Sequence, residues 1–185
     1  MFRDGPLRFR PPEEIRYGTG KCALGPILVA SSAKGIVTIM IRDKVAELVR
    51  ELHERFPKAV LVRDEKGCKG AVATAIEYVA APIGRFDLCL DLRGTPFQLQ
   101  VLREVLKIPF GQTSDYSVIA AAIGAPKAVR AVGSTCTHNW WAFAVPCHRV
   151  LHKGGGRRDT PQYRWADYEA KLAAKQAPRK PQRAP

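Results

Sequence analysis

Two apolar runs, Ile27-Leu28-Val29-Ala30 and Ile36-Val37-Thr38-Ile39-Met40-Ile41, flank the turn-forming stretch Ser31-Ser32-Ala33-Lys34-Gly35. Runs this rich in β-branched residues, so closely joined, predict a hairpin. Residues 45–53 space their apolar side chains at helical intervals and stop before Pro57, which predicts a helix. A strand over 59–62 follows, then a helix over 71–80 that Pro82 ends, then a strand over 88–92. From Gly94 the pattern turns helical: an amphipathic helix over 96–106 is closed by Pro109-Phe110-Gly111. Asp115 is placed to cap a helix running through Ile123, and Gly124 ends it. Pro126 then sits in the first turn of a second short helix, to about Ser134. Two short helices joined so tightly read as a helix-turn-helix. Beyond Trp165 a short helix runs to about Lys175.

These elements predict an α/β fold in two parts. A small N-terminal α/β sheet domain spans 15–92, and a mostly helical domain with the helix-turn-helix spans 93–175. Residues 1–14, with Pro6, Pro11 and Pro12, are expected to form a disordered lead-in. The segment 176–185, which mixes proline with Arg179, Lys180 and Arg183, is expected to form a disordered basic tail.

Charge adds a partner to this outline. Thirty Lys and Arg against seventeen Asp and Glu leave a net charge of +13. A field of that size favours a polyanion and speeds its capture. Nucleic acid fits better than an anionic membrane, because no strongly amphipathic basic helix or lipidation signal stands out. No apolar run approaches the ~18 residues of a membrane span, and no signal segment opens the chain. The five cysteines are odd in number and widely spaced, without a CxxC or a Cys/His ligand pattern. A disulfide framework or zinc site is therefore not expected, and a reducing, cytoplasmic setting is.

The chemistry concentrates at Ala144-Val145-Pro146-Cys147-His148-Arg149-Val150. It reads as a short apolar strand stopped by proline, with a thiol at its exit and an imidazole next along the chain. A thiolate is a strong nucleophile at neutral pH and forms where cationic groups are near. His148, Arg149, His152 and Lys153 can supply that character. Taken alone, such a Cys-His pair is more often a buried structural cysteine beside a loop histidine.

The upstream spacing changes that reading. Asn139 lies eight residues before Cys147, Arg130 nine before Asn139, and Tyr116 fourteen before Arg130. Together with Gly124-Ala125-Pro126-Lys127-Ala128-Val129-Arg130-Ala131-Val132-Gly133, these residues resemble the O6-alkylguanine-DNA alkyltransferases, and in particular the C-terminal repair domain of Ada-type proteins. The resemblance covers roughly residues 15–165 in one order. It implies that Cys147 accepts the alkyl group, that His148 takes the thiol proton through water, and that Asn139 ties the recognition element to the active-site strand. It implies a recognition helix that lays Ala128, Val129 and Gly133 in the minor groove, with Arg130 as a finger filling the place of a flipped nucleotide. Tyr116 would turn the 3′ phosphate and donate a proton to N3 of guanine. The implied reaction is cofactor-free, metal-free and single-turnover. Its partner is double-stranded DNA carrying O6-alkylguanine, with O4-alkylthymine as a second substrate, and the protein is expected to act as a monomer.

Three departures from the family pattern stand out. The family carries a glutamate about twelve residues after the Trp of Tyr-Arg-Trp, bonded to the histidine; counting from Trp165 reaches Ala177, with Gln176 beside it. Glu169 or Asp167 could partner His148 only if the helix shifts register. The loop 154–162 is long and glycine-rich, and Arg157 and Arg158 within it could grip phosphate. Trp140-Trp141 stands where the family has smaller residues, either as core or as the wall of a narrowed alkyl channel. Three rival readings stay open: a non-catalytic protein that binds and flags alkylated DNA, a thiol hydrolase, and a plain helix-turn-helix factor.

Overall fold

The computed structural model describes residues 12–82, 86–152 and 161–176 of the 185-residue chain. Most of the expected lead-in and basic tail, and Arg157 and Arg158 of the glycine-rich loop, lie outside these residues. The part of the lead-in that is described is structured: Glu13 accepts two hydrogen bonds from Arg93, and Glu14 opens the first strand.

The N-terminal part is a four-stranded sheet. Strands β1 (Glu14–Cys22), β2 (Gly25–Ser32) and β3 (Gly35–Ile41) form an antiparallel meander. Helix α1 (Val45–Arg55) carries the chain back to β4 (Val60–Arg63), which pairs parallel to β1, giving the order β3-β2-β1-β4. The β2–β3 pairing is the hairpin predicted over 27–41. Both faces of the sheet are buried, which is why β2 reads as a continuous apolar run rather than an alternation. Leu28 and Ala30 pack with Leu48, Leu52 and Phe56 of the α1 side. Ile27 and Val29 face the other way, onto Val72, Ala75 and Val79 of helix α2 (Lys69–Ala80). Glycine lets α2 approach β1: a Cβ at Gly18 or Gly20 would stand 2.7 Å from Cys68 Cβ or from a Val72 methyl.

The predicted strand over 88–92 is a single bridge, Leu90 beside Ile36. Ile36 N donates to Cys89 O and Asp91 N donates to Ile36 O, and there the pairing stops. Further along, the outer edge of β3 is already taken: Ile39 N and Thr38 Oγ1 both donate to Trp140 O. The edge strand is thus capped by two loops rather than by a fifth strand, which leaves few open backbone groups along it.

The C-terminal part is helical and shares the core of the α2 face. Helix α3 (Pro96–Val105) begins with a capping box between Thr95 and Gln98 and has proline in its first turn. It buries Val101, Leu102 and Val105. Strand β5 (Ser114–Asp115) leads into α4 (Tyr116–Ala122), and Asp115 caps that helix through Ser117 N. Gly124 takes a φ of +73° at the turn, a region that an L side chain rarely enters. The next helix, α5 (Val129–Thr137), starts three residues later than expected. Pro126 lies in the connection, where Ala125 N bonds to Ala120 O and Ala128 N to Ala125 O. The last elements are strand β6 (Val150–Leu151) and helix α6 (Pro161–Gln176). No helix among the described residues is long and apolar enough to cross a membrane.

Candidate active site

Cys147 does not sit at the end of a strand. Two 3-10 turns, Ala142–Ala144 and Cys147–Arg149, replace the expected apolar strand, and only Val150 and Leu151 extend. Pro146, with φ −77° and ψ 57°, turns the chain, and Cys147 N then closes on Val145 O at 2.7 Å. Within that turn His148 and Arg149 both reach one carboxylate, Glu169 of α6. Cys147, His148 and Arg149 are all buried.

The loop before the turn is held by Asn139. Its Nδ2 donates to Ala142 O at 2.9 Å and to Val145 O at 2.7 Å, while Oδ1 accepts from Trp141 N at 2.9 Å. One buried amide thus satisfies three backbone groups and holds Ala142 at a φ of +40°, a conformation that costs a non-glycine residue about 1–2 kcal/mol. The two tryptophans after it face the N-terminal sheet. The Trp141 indole donates to Ile36 O at 2.9 Å, and Trp140 packs edge-on to Phe56 with the Arg55 guanidinium 5.7 Å above its ring. They dock the Asn139 loop on the sheet and α1. A cavity of about 630 Å³ remains there, bordered by Arg42, Arg55, Asn139, Trp140 and His148; Cys147 is not part of its lining.

His148 has the acidic partner that counting from Trp165 denied it. Its Nε2 lies 2.5 Å from Glu169 Oε2. Arg149 Nε donates to Glu169 Oε1 at 2.7 Å, and the Trp165 indole N–H reaches Glu169 Oε2 at 3.1 Å. That indole also lies 2.9 Å from His148 Nε2. An indole nitrogen only donates, so the arrangement that satisfies both ring nitrogens has Trp165 and His148 Nε2–H donating to the carboxylate. The imidazole lone pair then resides on Nδ1. Burial works to raise the Glu169 carboxyl, but the bonds from His148 and Arg149 overcome it and bring the group down to about 2. The register differs from the expectation because α6 begins at Pro161, ahead of Trp165, so Trp165 and Glu169 are one turn apart on the same face.

The Cys147 thiol is pushed the other way, well above its ordinary range, by its interaction with the Cys136 thiol and by complete burial. Cys136 is on the inner face of α5 and is itself buried. Sequence reasoning passed over it; the only available signal was its place beside Val132 and Thr135 on the one apolar face of that helix.

The helix-turn-helix is joined to this turn by β5 and β6, which pair parallel with Ser114 opposite Val150 and Asp115 opposite Leu151. The pairing brings Tyr116, the first residue of α4, against the exit of the turn, where its ring packs edge-on to His152 at 4.9 Å. On α5, Arg130 is exposed, Ala128, Val129 and Gly133 are half-buried, and Val132, Thr135 and Cys136 point inward. A Cβ at Gly133 would lie 4.0 Å from the Tyr116 ring, which places these two residues side by side. Cys147, His148, Asn139, Tyr116 and Glu169 therefore gather around one turn, with Arg130 on the outer face of the helix beside it. Among the described residues no group of three or more His, Cys, Asp or Glu side chains could hold a metal ion.

Residues 96–177 match the family model described as 6-O-methylguanine DNA methyltransferase, DNA binding domain. The bifunctional transcriptional activator/DNA repair enzyme Ada of Escherichia coli is 41% identical over 155 residues, 82% of this chain and 42% of Ada, so the chain spans less than half the length of that relative. A methylated-DNA–protein-cysteine methyltransferase of Mycobacterium bovis is 38% identical over 141 residues, 76% of this chain and 81% of that protein. Among solved structures, an OGT of Mycobacterium tuberculosis in complex with DNA superposes with a TM-score of 0.70 at 32% identity, covering 89% of this chain and 96% of that one. With Cys147 next in the chain to a buried His148–Glu169 pair, behind a helix-turn-helix, and with the Mycobacterium bovis relative matched over 81% of its own length, the chain belongs to the methylated-DNA–protein-cysteine methyltransferase family.

Proposed function

We propose that this protein repairs O6-methylguanine in double-stranded DNA by moving the alkyl group irreversibly onto its own Cys147. The observation that carries the reading is the buried His148–Glu169 pair beside Cys147 in the chain, on a turn against which α5, the helix that presents Arg130, packs.

In the resting protein Cys147 is held as a neutral thiol, so it is a dormant nucleophile until its proton has somewhere to go. His148 provides the place. Its Nδ1 takes the proton through a water, and the Glu169 carboxylate, fixed by Arg149 and Trp165, stabilises the imidazolium that forms. The thiolate attacks the alkyl carbon in line: an S–C bond forms, the C–O6 bond breaks, and the electron pair leaves with guanine. Tyr116 donates a proton to N3, so in balance the thiol proton ends on the base. A thioether has no good leaving group, and each molecule acts once. No cofactor is needed.

The target atom lies inside the duplex, so the nucleotide has to leave the stack, at a cost of a few kcal/mol. Arg130 fills the vacated space, Tyr116 turns the 3′ phosphate, and the half-buried small face of Ala128, Val129 and Gly133 lets α5 approach the minor groove closely. Arg157 and the net charge of +13 add phosphate contacts that offset the unstacking. The substrate class extends to O4-alkylthymine, and we place the protein, as a monomer, in the cytoplasm, where five free cysteines stay reduced.

Incubation with a duplex carrying one O6-methylguanine tests the reading by intact mass. The protein gains one CH2, mapped to Cys147, in a yield that stops at one equivalent. Cys147→Ala binds the duplex but gains nothing. Binding without any mass change in the wild type would instead identify a flagging protein, turnover beyond one equivalent a hydrolase, and a preference for sequence over lesion a plain helix-turn-helix factor.

A further inference from the structure

Thr38 is the one polar residue in the apolar run over 36–41, and it is fully buried. A buried hydroxyl needs hydrogen-bond partners, and this one stands at a fault in the sheet. Ala30 of β2 pairs with Thr38 but Ser31 pairs with Ile36, which leaves Val37 as the extra residue of a β-bulge. Val37 and Thr38 therefore both lie on the α1 side: Val37 fills the core there, and Thr38 turns its hydroxyl to Arg55. Arg55 Nη1 donates to Thr38 Oγ1 at 2.8 Å, and Thr38 Oγ1 lies 2.6 Å from Trp140 O. A guanidinium only donates, so the hydroxyl accepts from Arg55 and gives its single proton to Trp140 O. Arg55 is itself held by Glu51, to which Arg42 also donates at 2.8 Å.

Trp140 O and Trp141 N–H belong to one planar peptide unit. Thr38 and Ile39 N–H fix the oxygen end of that plane, and its N–H end donates to Asn139 Oδ1 at 2.9 Å. The Asn139 amide is planar in turn, and its Nδ2 holds Val145 O, the same carbonyl on which Cys147 N closes. Two rigid planes thus carry the direction set by Thr38 to the first residue of the active-site turn, along a path outside α4 and α5. We propose that Thr38 and Arg55 are positioning residues for the alkyl transfer: from the N-terminal part they orient the Trp140–Trp141 peptide, and through Asn139 the turn that carries Cys147 and His148.

The backbone bond from Ile39 already docks the loop on β3, so the hydroxyl adds direction rather than attachment. A carbonyl held by one donor can pivot about that bond; held by two, from neighbouring residues of a bulged strand, it cannot. Arg55 strengthens the second donor, because a hydroxyl that accepts from a cation gives its own proton more strongly. The same guanidinium lies 5.7 Å over the Trp140 ring, so it grips both the side chain and, through Thr38, the backbone of one residue. In-line displacement is sensitive to such direction: a misplacement of about 1 Å, even one caused far from the chemistry, costs on the order of 100-fold in rate.

This inference rests on the reading of Cys147 as the alkyl acceptor, and its test has one readout with DNA and one without. The full chain and its Thr38→Val, Thr38→Ser and Arg55→Met variants are compared in single-turnover transfer from a duplex carrying one O6-methylguanine and from the same strand unpaired. Thr38→Val and Arg55→Met are expected to lose about tenfold in rate at saturating DNA, equally on both substrates, with duplex affinity within about twofold. Thr38→Ser keeps the hydroxyl and recovers the rate to within about threefold of the wild type. Rates equal to the wild type in both slow candidates overturn the proposal. So does a Ser variant as slow as Val, a loss confined to the paired substrate, or a loss of affinity that matches the loss of rate. Should Thr38→Val fail to fold, Arg55→Met carries the same measurements, since its stem still packs against Trp140. Amide hydrogen exchange over 139–149, read without DNA, is expected to quicken in Thr38→Val and not in Thr38→Ser, while β1 and β2 stay protected. If the wild type transfers no methyl, the proposed function fails, and exchange alone decides the hold on the turn: equal exchange in Val and wild type overturns it, and quickened exchange upholds it.

Discussion

Glu169 is the buried carboxylate around which the candidate site is bonded. A buried carboxylate is costly to ionise, and this one stays ionised because His148, Arg149 and Trp165 all donate to it. In the proposed mechanism its effect on Cys147 is indirect: it would fix the imidazole tautomer and stabilise the charge that appears when His148 accepts the thiol proton. Glu169→Gln keeps the shape and removes the charge. The rate of methyl transfer at saturating DNA is expected to fall by about 10–100-fold, a part of the 10²–10⁴ that a general base contributes. Duplex affinity should stay within about twofold, since α5 is untouched. Rapid-quench single-turnover kinetics beside a binding titration separates these quantities. A loss of affinity that matches the loss of rate would mean that Glu169 merely holds the fold together.

At the scale of elements, the same carboxylate clamps α6 to the active-site turn, and this makes the clamp sensitive to acid. Its folded-state value of about 2 lies below the ordinary carboxyl value of 4.5, so the stability it contributes is present above about 4.5 and lost as pH falls toward 2. The contribution is up to about 3 kcal/mol, because each tenfold change in proton affinity on folding is worth about 1.4 kcal/mol. Denaturant unfolding at a series of pH values should show the wild type weakening through that window. Glu169→Gln, less stable at neutral pH, should lose less across it; parallel curves for the two proteins would rule the clamp out. The helices were legible in the sequence because each carries local signals: the apolar spacing of α1 and α2, the proline that opens α3, the Asp115 cap and the Gly124 turn. Strand β1 was not, because Gly18 and Gly20 blank out the alternation at the very places where α2 comes close. Residues 88–92 have the composition of a strand, but Trp140, 102 positions along the chain from the Thr38 hydroxyl it accepts from, claims the edge they would need. The turn around Cys147 looked extended from its apolar residues, and only the Asn139 bonds and the Pro146 geometry show why it coils. The acidic partner of His148 was hidden by a fixed count from Trp165, which a helix starting at Pro161 makes irrelevant.

Over the whole molecule, the N-terminal sheet and the helical part are joined at the loop that leads into the turn of Cys147. Trp141 bonds to β3, Trp140 packs on the α1 side, and between them Asn139 braces the turn of Cys147. The sheet thus gives the active-site turn a rigid floor, while the pairing of β5 with β6 ties the same turn to the start of α4. In the proposed reaction a base would enter from the face of α5, and the charge of the chain would supply much of the energy for extruding the nucleotide. With a net +13, log affinity for duplex DNA should fall linearly with log salt, by about 0.9 for each phosphate neutralised. Arg130, exposed on α5, has a different task from the other cations if it fills the gap left by the flipped base. Arg130→Ala should then slow transfer from a paired O6-methylguanine far more than from the same base in a single strand, where nothing has to be unstacked. It should leave the salt slope almost unchanged. Single-turnover transfer on both substrates, with duplex binding measured at several salt concentrations, makes the distinction: equal losses on paired and single-stranded DNA, together with a slope reduced by about one phosphate, would assign Arg130 to the DNA backbone instead.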